Sequence, residues 1–149
     1  MALDPLNLPD FEPKLKAEAA HTWIYDSVRK KYVILTPEEW VRQHFVNYLV
    51  RHLEYPRSLL KVESGLAVNA MARRSDILVY NRQGEPHMLI ECKAPSVNVD
   101  QKVFDQVSAY NLHYQAKLLV VTNGITHYCC AIDQAKKQYT FLSEIPAFN

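Results

Sequence analysis

Asp76, Glu91 and Lys93 are the residues of this chain whose types and spacing could do demanding chemistry. Glu91 and Lys93 stand two apart in the run Met88-Leu89-Ile90-Glu91-Cys92-Lys93. In a strand, residues two apart share a face, so a carboxylate and an ammonium would project together while Met88, Ile90 and Cys92 point into a core. Burying such charges is costly unless they are paired or hold a metal ion. Asp76 begins the earlier apolar run Asp76-Ile77-Leu78-Val79-Tyr80, which is separated from the Glu91 run by the turn Asn81-Arg82-Gln83-Gly84-Glu85. Antiparallel pairing through that turn brings Asp76 towards Glu91. Two carboxylates and a backbone carbonyl, here that of Cys92, are the oxygen donors Mg²⁺ prefers, with Mn²⁺ able to substitute. Such an ion polarises a phosphoryl group and lowers the pKa of a bound water. Lys93 would orient that water or stabilise developing negative charge. The competing reading is structural: Asp76 paired with Arg74, and Glu91 with Lys93.

Elements able to position these residues are legible on either side. Thr36-Pro37-Glu38-Glu39 announces a helix, with Thr36 as N-cap, Pro37 in the first position and Glu39 completing a capping box. Val41, Phe45, Tyr48, Leu49 and Leu53 recur at helical spacing, and Pro56 ends the segment. Three β-like stretches follow, at residues 60–68, 74–80 and 87–93, the second apolar on both faces like a central strand. Asn98 and Gln101 form a capping signature for a second helix, whose stripe is Val103, Val107, Tyr110 and Tyr114. Residues 117–122 and 125–132 read as strands joined at Asn123-Gly124 by a type I′ hairpin, and residues 139–142 as an added edge strand. Upstream, residues 22–28 and 31–35 suggest a hairpin. Residues 1–20, with prolines and mixed charge, read as an arm, and residues 21–149 as one domain. The fold class expected is α/β, a central mixed sheet flanked by helices.

Composition bounds the rest. A chain of 149 residues suffices for one domain with a sizeable core. The formal net charge of +1 offers no global attraction for nucleic acid, so any DNA site must be a local basic groove. Arg73, Arg74 and Lys102 are candidates to contact phosphate, and such binding is expected to be weak and strongly salt-dependent. The three cysteines, Cys92, Cys129 and Cys130, do not make a disulfide framework, and with no apparent signal or membrane segment a cytoplasmic location is the expectation. A zinc site at His127, Cys129 and Cys130 is set aside, because these residues sit in an apolar β-like run with no CxxC partner. His87 shares the Glu91 face but reads as an exposed strand start, and Glu63 as a solvated position.

Five pieces, in order, resemble the N-terminal domain of type I restriction enzyme R subunits in a small stand-alone form, within the PD-(D/E)XK nuclease superfamily. They are Thr36-Pro37-Glu38-Glu39-Trp40-Val41-Arg42-Gln43, Arg74-Ser75-Asp76-Ile77, Ile90-Glu91-Cys92-Lys93-Ala94-Pro95, Gln106 with Tyr110, and Thr122-Asn123-Gly124. The resemblance implies a restriction-endonuclease-like core and Mg²⁺-dependent cleavage of DNA. It implies Asp76 and Glu91 as metal ligands, Lys93 as the catalytic lysine, and Gln106 and Tyr110 as accessory residues from one helix face. It also suggests an acidic helix residue near the metal, for which Glu39 is the candidate. No GxxxxGK[ST] motif is present, so the chain is not expected to be a DNA-pumping motor. The partners implied are DNA and restriction-modification subunits or a second copy in a homodimer. The alternative function is a catalytically silent nucleic-acid-binding or assembly module on the same fold.

Overall fold

The computed structural model describes residues 3–65 and 74–149, with side chains described for residues 3–62 and 77–149. The described residues form two sheets and two α-helices. The smaller sheet is an antiparallel meander of β1 (Leu15–Glu18), β2 (His21–Asp26) and β3 (Lys31–Ile34). The hairpin read at residues 22–28 and 31–35 is β2–β3, with Trp23 opposite Ile34 and Asp26 opposite Lys31. Strand β1 was not legible: all four of its residues are exposed, so it has no apolar alternation. Its turn is Ala19-Ala20, both at positive φ (53° and 64°), where the usual Asn-Gly signal is missing. Part of the segment read as an arm is therefore a strand.

Helix α1 (Pro37–Asn47) starts where Thr36 predicts, with the Thr36 hydroxyl accepting from the Glu39 N–H at 3.0 Å. It runs on through a π-helical turn, Tyr48–His52. The larger sheet follows in the order β4 (Leu60–Gly65), β5 (Arg74–Tyr80), β6 (Pro86–Cys92), β7 (Leu118–Thr122), β8 (His127–Asp133) and β9 (Gln138–Leu142). Of the first β-like stretch, residues 66–68 lie outside the described residues. Neighbours are antiparallel except β6 and β7, which are parallel. A parallel pair needs a long crossover, and helix α2 (Gln101–Tyr114) supplies it. The N-cap of α2 is Asp100, whose carboxylate accepts from the Val103 N–H at 3.0 Å, and not Asn98.

Strand alternation sends two sets of side chains to two cores. Ile77, Val79, Met88, Ile90 and Cys92 pack with Val41, Phe45 and Leu49 of the α1 region. Leu78, Leu89, Leu119 and Val121 pack with Val107 of α2, bordered by Val103, Tyr110 and Tyr114. The central strands are thus apolar on both faces, as a sheet covered on both sides requires. The result is the mixed α/β architecture expected. Among the described residues, no helix is long and apolar enough to cross a membrane.

Candidate active site

The β5–β6 ladder sets Asp76 directly opposite Glu91, followed by Ile77 opposite Ile90. On the other side of β5, the β4 ladder sets Glu63 opposite Asp76. Three acidic positions therefore occupy one row across three strands. The reading of Glu63 as merely solvated did not anticipate this row, because it depends on a register between distant segments. The side chains of Glu63, Arg74 and Asp76 lie outside the described residues, as does Arg73 altogether.

Glu91 is 4% exposed. Its neighbours along β6 show which way it faces: Leu89 packs in the α2 core, whereas Ile90 and Cys92 pack in the α1 core. Glu91 belongs to the α2 side, and so does Lys93, whose Nζ lies 3.3 Å from Glu91 Oε1. The Lys93 side chain is 27% exposed, so it links the buried carboxylate to solvent. Backbone contacts hold this end of β6 in place. The Lys93 N–H donates to the Thr122 carbonyl at 2.8 Å. Asn123 donates through its side-chain amide to the Val97 carbonyl at 2.8 Å, and its side-chain oxygen accepts from the N–H groups of Ile125 and Thr126. Thr122-Asn123-Gly124 is thus a clamp between the loop after β6 and the start of β8. The connection spans residues 123–126 and is not the two-residue type I′ turn expected from Asn-Gly.

The first turn of α1 approaches the same end of β6. The buried Cys92 thiol, pushed far up by desolvation, also feels the charges of Arg42, Glu91, Glu39 and Glu38. Glu39 does not turn back to close a capping box. Its carboxylate accepts from Arg42 Nη1 at 2.8 and 3.0 Å, Gln43 Nε2 at 2.9 Å and Arg29 Nη2 at 3.2 Å. Arg29 also donates to Asp26 Oδ2 at 2.7 Å, and Asp26 Oδ1 accepts from the N–H groups of Val28 and Arg29. This chain of charges, from the β2–β3 turn to α1, was missed in the sequence. Arg42 is 2% exposed, and its position on an amphipathic helix gave no sign that it faced inward.

The accessory residues are placed as follows. Gln106 is exposed on α2, while Tyr110 is half-buried with its hydroxyl 3.3 Å from that of Tyr114. Lys102 is exposed in the first turn of α2. His87 lies at the other end of β6 from Glu91, its ring 6.4 Å from that of Tyr55. His127 uses both ring nitrogens, one 2.6 Å from the Thr122 hydroxyl and one 2.9 Å from the Asn7 carbonyl. Among the described residues, no three His, Cys, Asp or Glu side chains gather as metal ligands. The side chain of Asp76 is not among those described.

Burial sets a pH dependence. Desolvation lowers His44, His87 and His127 below the ordinary 6.5, outweighing the Trp40 and Asn7 carbonyls that favour the charged rings of His44 and His127. For Asp26 desolvation would raise the carboxyl, but the Arg29 and Val28 hydrogen bonds and the Arg29 charge take it below 3.8. A histidine with a depressed folded pKa binds fewer protons folded than unfolded, so stability falls as pH drops below about 6.5. The Asp26 contribution is present above its unfolded pKa and is lost as pH falls through its folded value. The urea midpoint should therefore decline from pH 7.5 to 5.5, and the slope should flatten in the His44→Gln/His127→Gln variant. A midpoint that rises on acidification over that range would contradict this accounting.

A search of curated proteins finds no match. The model of one family, described as the type I restriction enzyme R protein N terminus, matches residues 37–146. That span begins at the first residue of α1, takes in the whole six-stranded sheet and contains every residue of the candidate site. The chain belongs to the family of type I restriction enzyme R protein N-terminal domains.

Proposed function

We propose that this domain is a divalent-metal-dependent DNA endonuclease of PD-(D/E)XK type, with Asp76 and Glu91 as metal ligands and Lys93 as its catalytic lysine. The observation that carries the reading is the ladder register, which opposes Asp76 and Glu91, with Lys93 3.3 Å from the buried Glu91 carboxylate. Residues directly opposed in an antiparallel pair lie on one face of the sheet. The donors fit Mg²⁺ or Mn²⁺, being carboxylates together with the Cys92 carbonyl. A bound ion would polarise a phosphoryl oxygen and acidify a water. The chain supplies the rest. Lys93 positions the attacking water and offsets charge that builds on the phosphate. Burial of Glu91 among apolar neighbours strengthens these interactions. Arg73, Arg74 and Lys102 are proposed to hold the DNA backbone, and Gln106 and Tyr110 to orient groups near the scissile phosphate. Glu39 is a weaker candidate accessory ligand, since its carboxylate already accepts from three side chains. DNA is the proposed partner, with restriction-modification subunits as companions.

The Glu91–Lys93 contact equally suits a second reading, a structural ion pair in a module that binds or assembles without turnover. Duplex and single-stranded DNA, incubated with Mn²⁺, Mg²⁺ or EDTA, separate the two. Nicking that requires the ion, together with a melting temperature raised by Mn²⁺, is the expected result. Retention of DNA without cleavage, and melting indifferent to Mn²⁺, would favour the silent module.

A further inference from the structure

The outer face of the small sheet carries aromatic rings and ammonium groups in place of the plain polar side chains usual on a solvated sheet face. Lys16 stands opposite Trp23, and Tyr25 opposite Tyr32. The Tyr25 N–H donates to the Lys14 carbonyl at 2.9 Å, which carries the pairing one residue beyond β1. Alternation puts Lys14, Lys16, Trp23, Tyr25 and Tyr32 on one face and the buried Ile24 on the other. The two tyrosine rings meet edge to face, 5.3 Å between centroids. Lys14 Nζ lies 5.5 Å from the Tyr25 ring centre, and Lys16 Nζ 4.3 Å from that of Tyr32. The indole N–H of Trp23 donates to the Glu18 carbonyl at 3.0 Å, which holds that ring in place. We infer that this face binds single-stranded DNA, with bases stacked on the rings and the lysines on the phosphates.

Charge favours a polyanion there. Residues 14–34 hold five lysines and arginines against two carboxylates, a net +3 in a chain whose net charge is +1. Arg29 and Asp26 neutralise each other, while Lys14, Lys16, Lys30 and Lys31 are exposed. The contacts that hold Lys14 and Lys16 are exchangeable. Lys16 lies 3.3 Å from Glu18 Oε2, an exposed pair that water screens. Each ammonium over a ring can swing to a phosphate and uncover the ring for a base. An unpaired strand offers base faces to such rings, and a duplex hides them. A lipid surface is disfavoured, because the most open apolar side chains of this sheet, Leu15 at 42% and Ile34 at 43%, stand on opposite faces. The sheet precedes residues 37–146, which match the family, and supplies none of the proposed catalytic residues. The choice of DNA over RNA rests on the endonuclease reading; the site itself does not.

Fluorescence anisotropy of a labelled oligothymidylate of about ten nucleotides, with the full chain in EDTA so that nothing is cleaved, tests it. A Kd on the order of 10–100 µM is expected at physiological salt, with log affinity falling against log salt at a slope of about −1.4 for two phosphates. Lys14→Gln should bring the slope to about −0.7. Tyr32→Leu should weaken binding at least about fivefold with the slope unchanged, and Tyr32→Phe should stay within about twofold of the parent. Duplex affinity, which the nuclease groove governs, should not respond to Tyr32→Leu. A parent that leaves oligothymidylate unbound at about 1 mM would overturn the proposal. So would a Tyr32→Leu protein that melts lower yet binds as the parent does, which would reduce the rings to bracing a small sheet. Lys14→Gln, at an exposed position, decides the matter if Tyr32→Leu does not fold, and an unchanged slope there overturns the site. Oligouridylate bound more tightly than oligothymidylate would place RNA on the face, and binding confined to phosphatidylserine vesicles would place a membrane there; either result overturns the assignment.

Discussion

Lys93→Ala should retain divalent-ion binding while any cleavage falls about a hundredfold or more, whereas Asp76→Ala and Glu91→Ala should lose both. The split follows from what each residue supplies. Lys93 donates no ligand, and its ammonium lies 3.3 Å from Glu91, where it neutralises a carboxylate that is 4% exposed. Removing it leaves that carboxylate without its lysine partner, so the metal-free variant should melt below the parent. Mn²⁺ should then raise its melting temperature at least as much as it raises the parent's, because the ion takes over the neutralising role. Removing either carboxylate should do the opposite. It relieves repulsion between opposed acids, so the metal-free Asp76→Ala and Glu91→Ala proteins should melt at or above the parent and ignore Mn²⁺. A purely structural ion pair predicts that Glu91→Ala is destabilised, by less than the roughly 3–5 kcal/mol of a fully buried pair because Lys93 is 27% exposed and can turn to solvent. Melting of the four proteins with and without Mn²⁺ decides the matter. Badly destabilised carboxylate variants beside a parent blind to Mn²⁺ would remove the case for catalysis.

Glu39→Ala should lower the melting temperature by about 10 °C, corresponding to roughly 3–5 kcal/mol. Its carboxylate joins Arg42, Gln43 and Arg29, and Arg42 is 2% exposed. Deleting the acid leaves a buried guanidinium with no carboxylate, a larger loss than the pair contributes when intact. Removing Arg42 as well should recover part of the loss, with a coupling of at least about 1.5 kcal/mol in a double-mutant cycle. The accessory-ligand role predicts a different pattern: metal-free melting near the parent's, and a reduced Mn²⁺ response. Thermal melts of Glu39→Ala, Arg42→Ala and the double variant separate a positioning network from a ligand.

The parts of this protein that the sequence by itself determined are those governed by neighbours along the chain. Thr36 and Pro37 start α1 because capping needs only a hydroxyl three residues from an N–H. The alternation in Ile77–Val79 and Met88–Cys92 divides into the two cores because the pleat has a period of two. The same pleat puts Glu91 and Lys93 together. Whatever required distant segments to meet was decided by the tertiary structure. Asn98 and Asp100 are both good caps. The choice of Asp100 accompanies a tertiary bond, from Asn123 to the Val97 carbonyl, that holds the preceding loop. Glu39 had local partners available in a capping box and in Arg42 and Gln43 on its own helix, and the added contact to Arg29 at 3.2 Å comes from packing against the β2–β3 turn. Strand β1 forms on a turn of two alanines at positive φ, a conformation each alanine resists and the ladder to β2 imposes. The alignment of Glu63 with Asp76 and Glu91 is of the same kind, since the relative register of strands is a property of the assembled sheet and of no single segment.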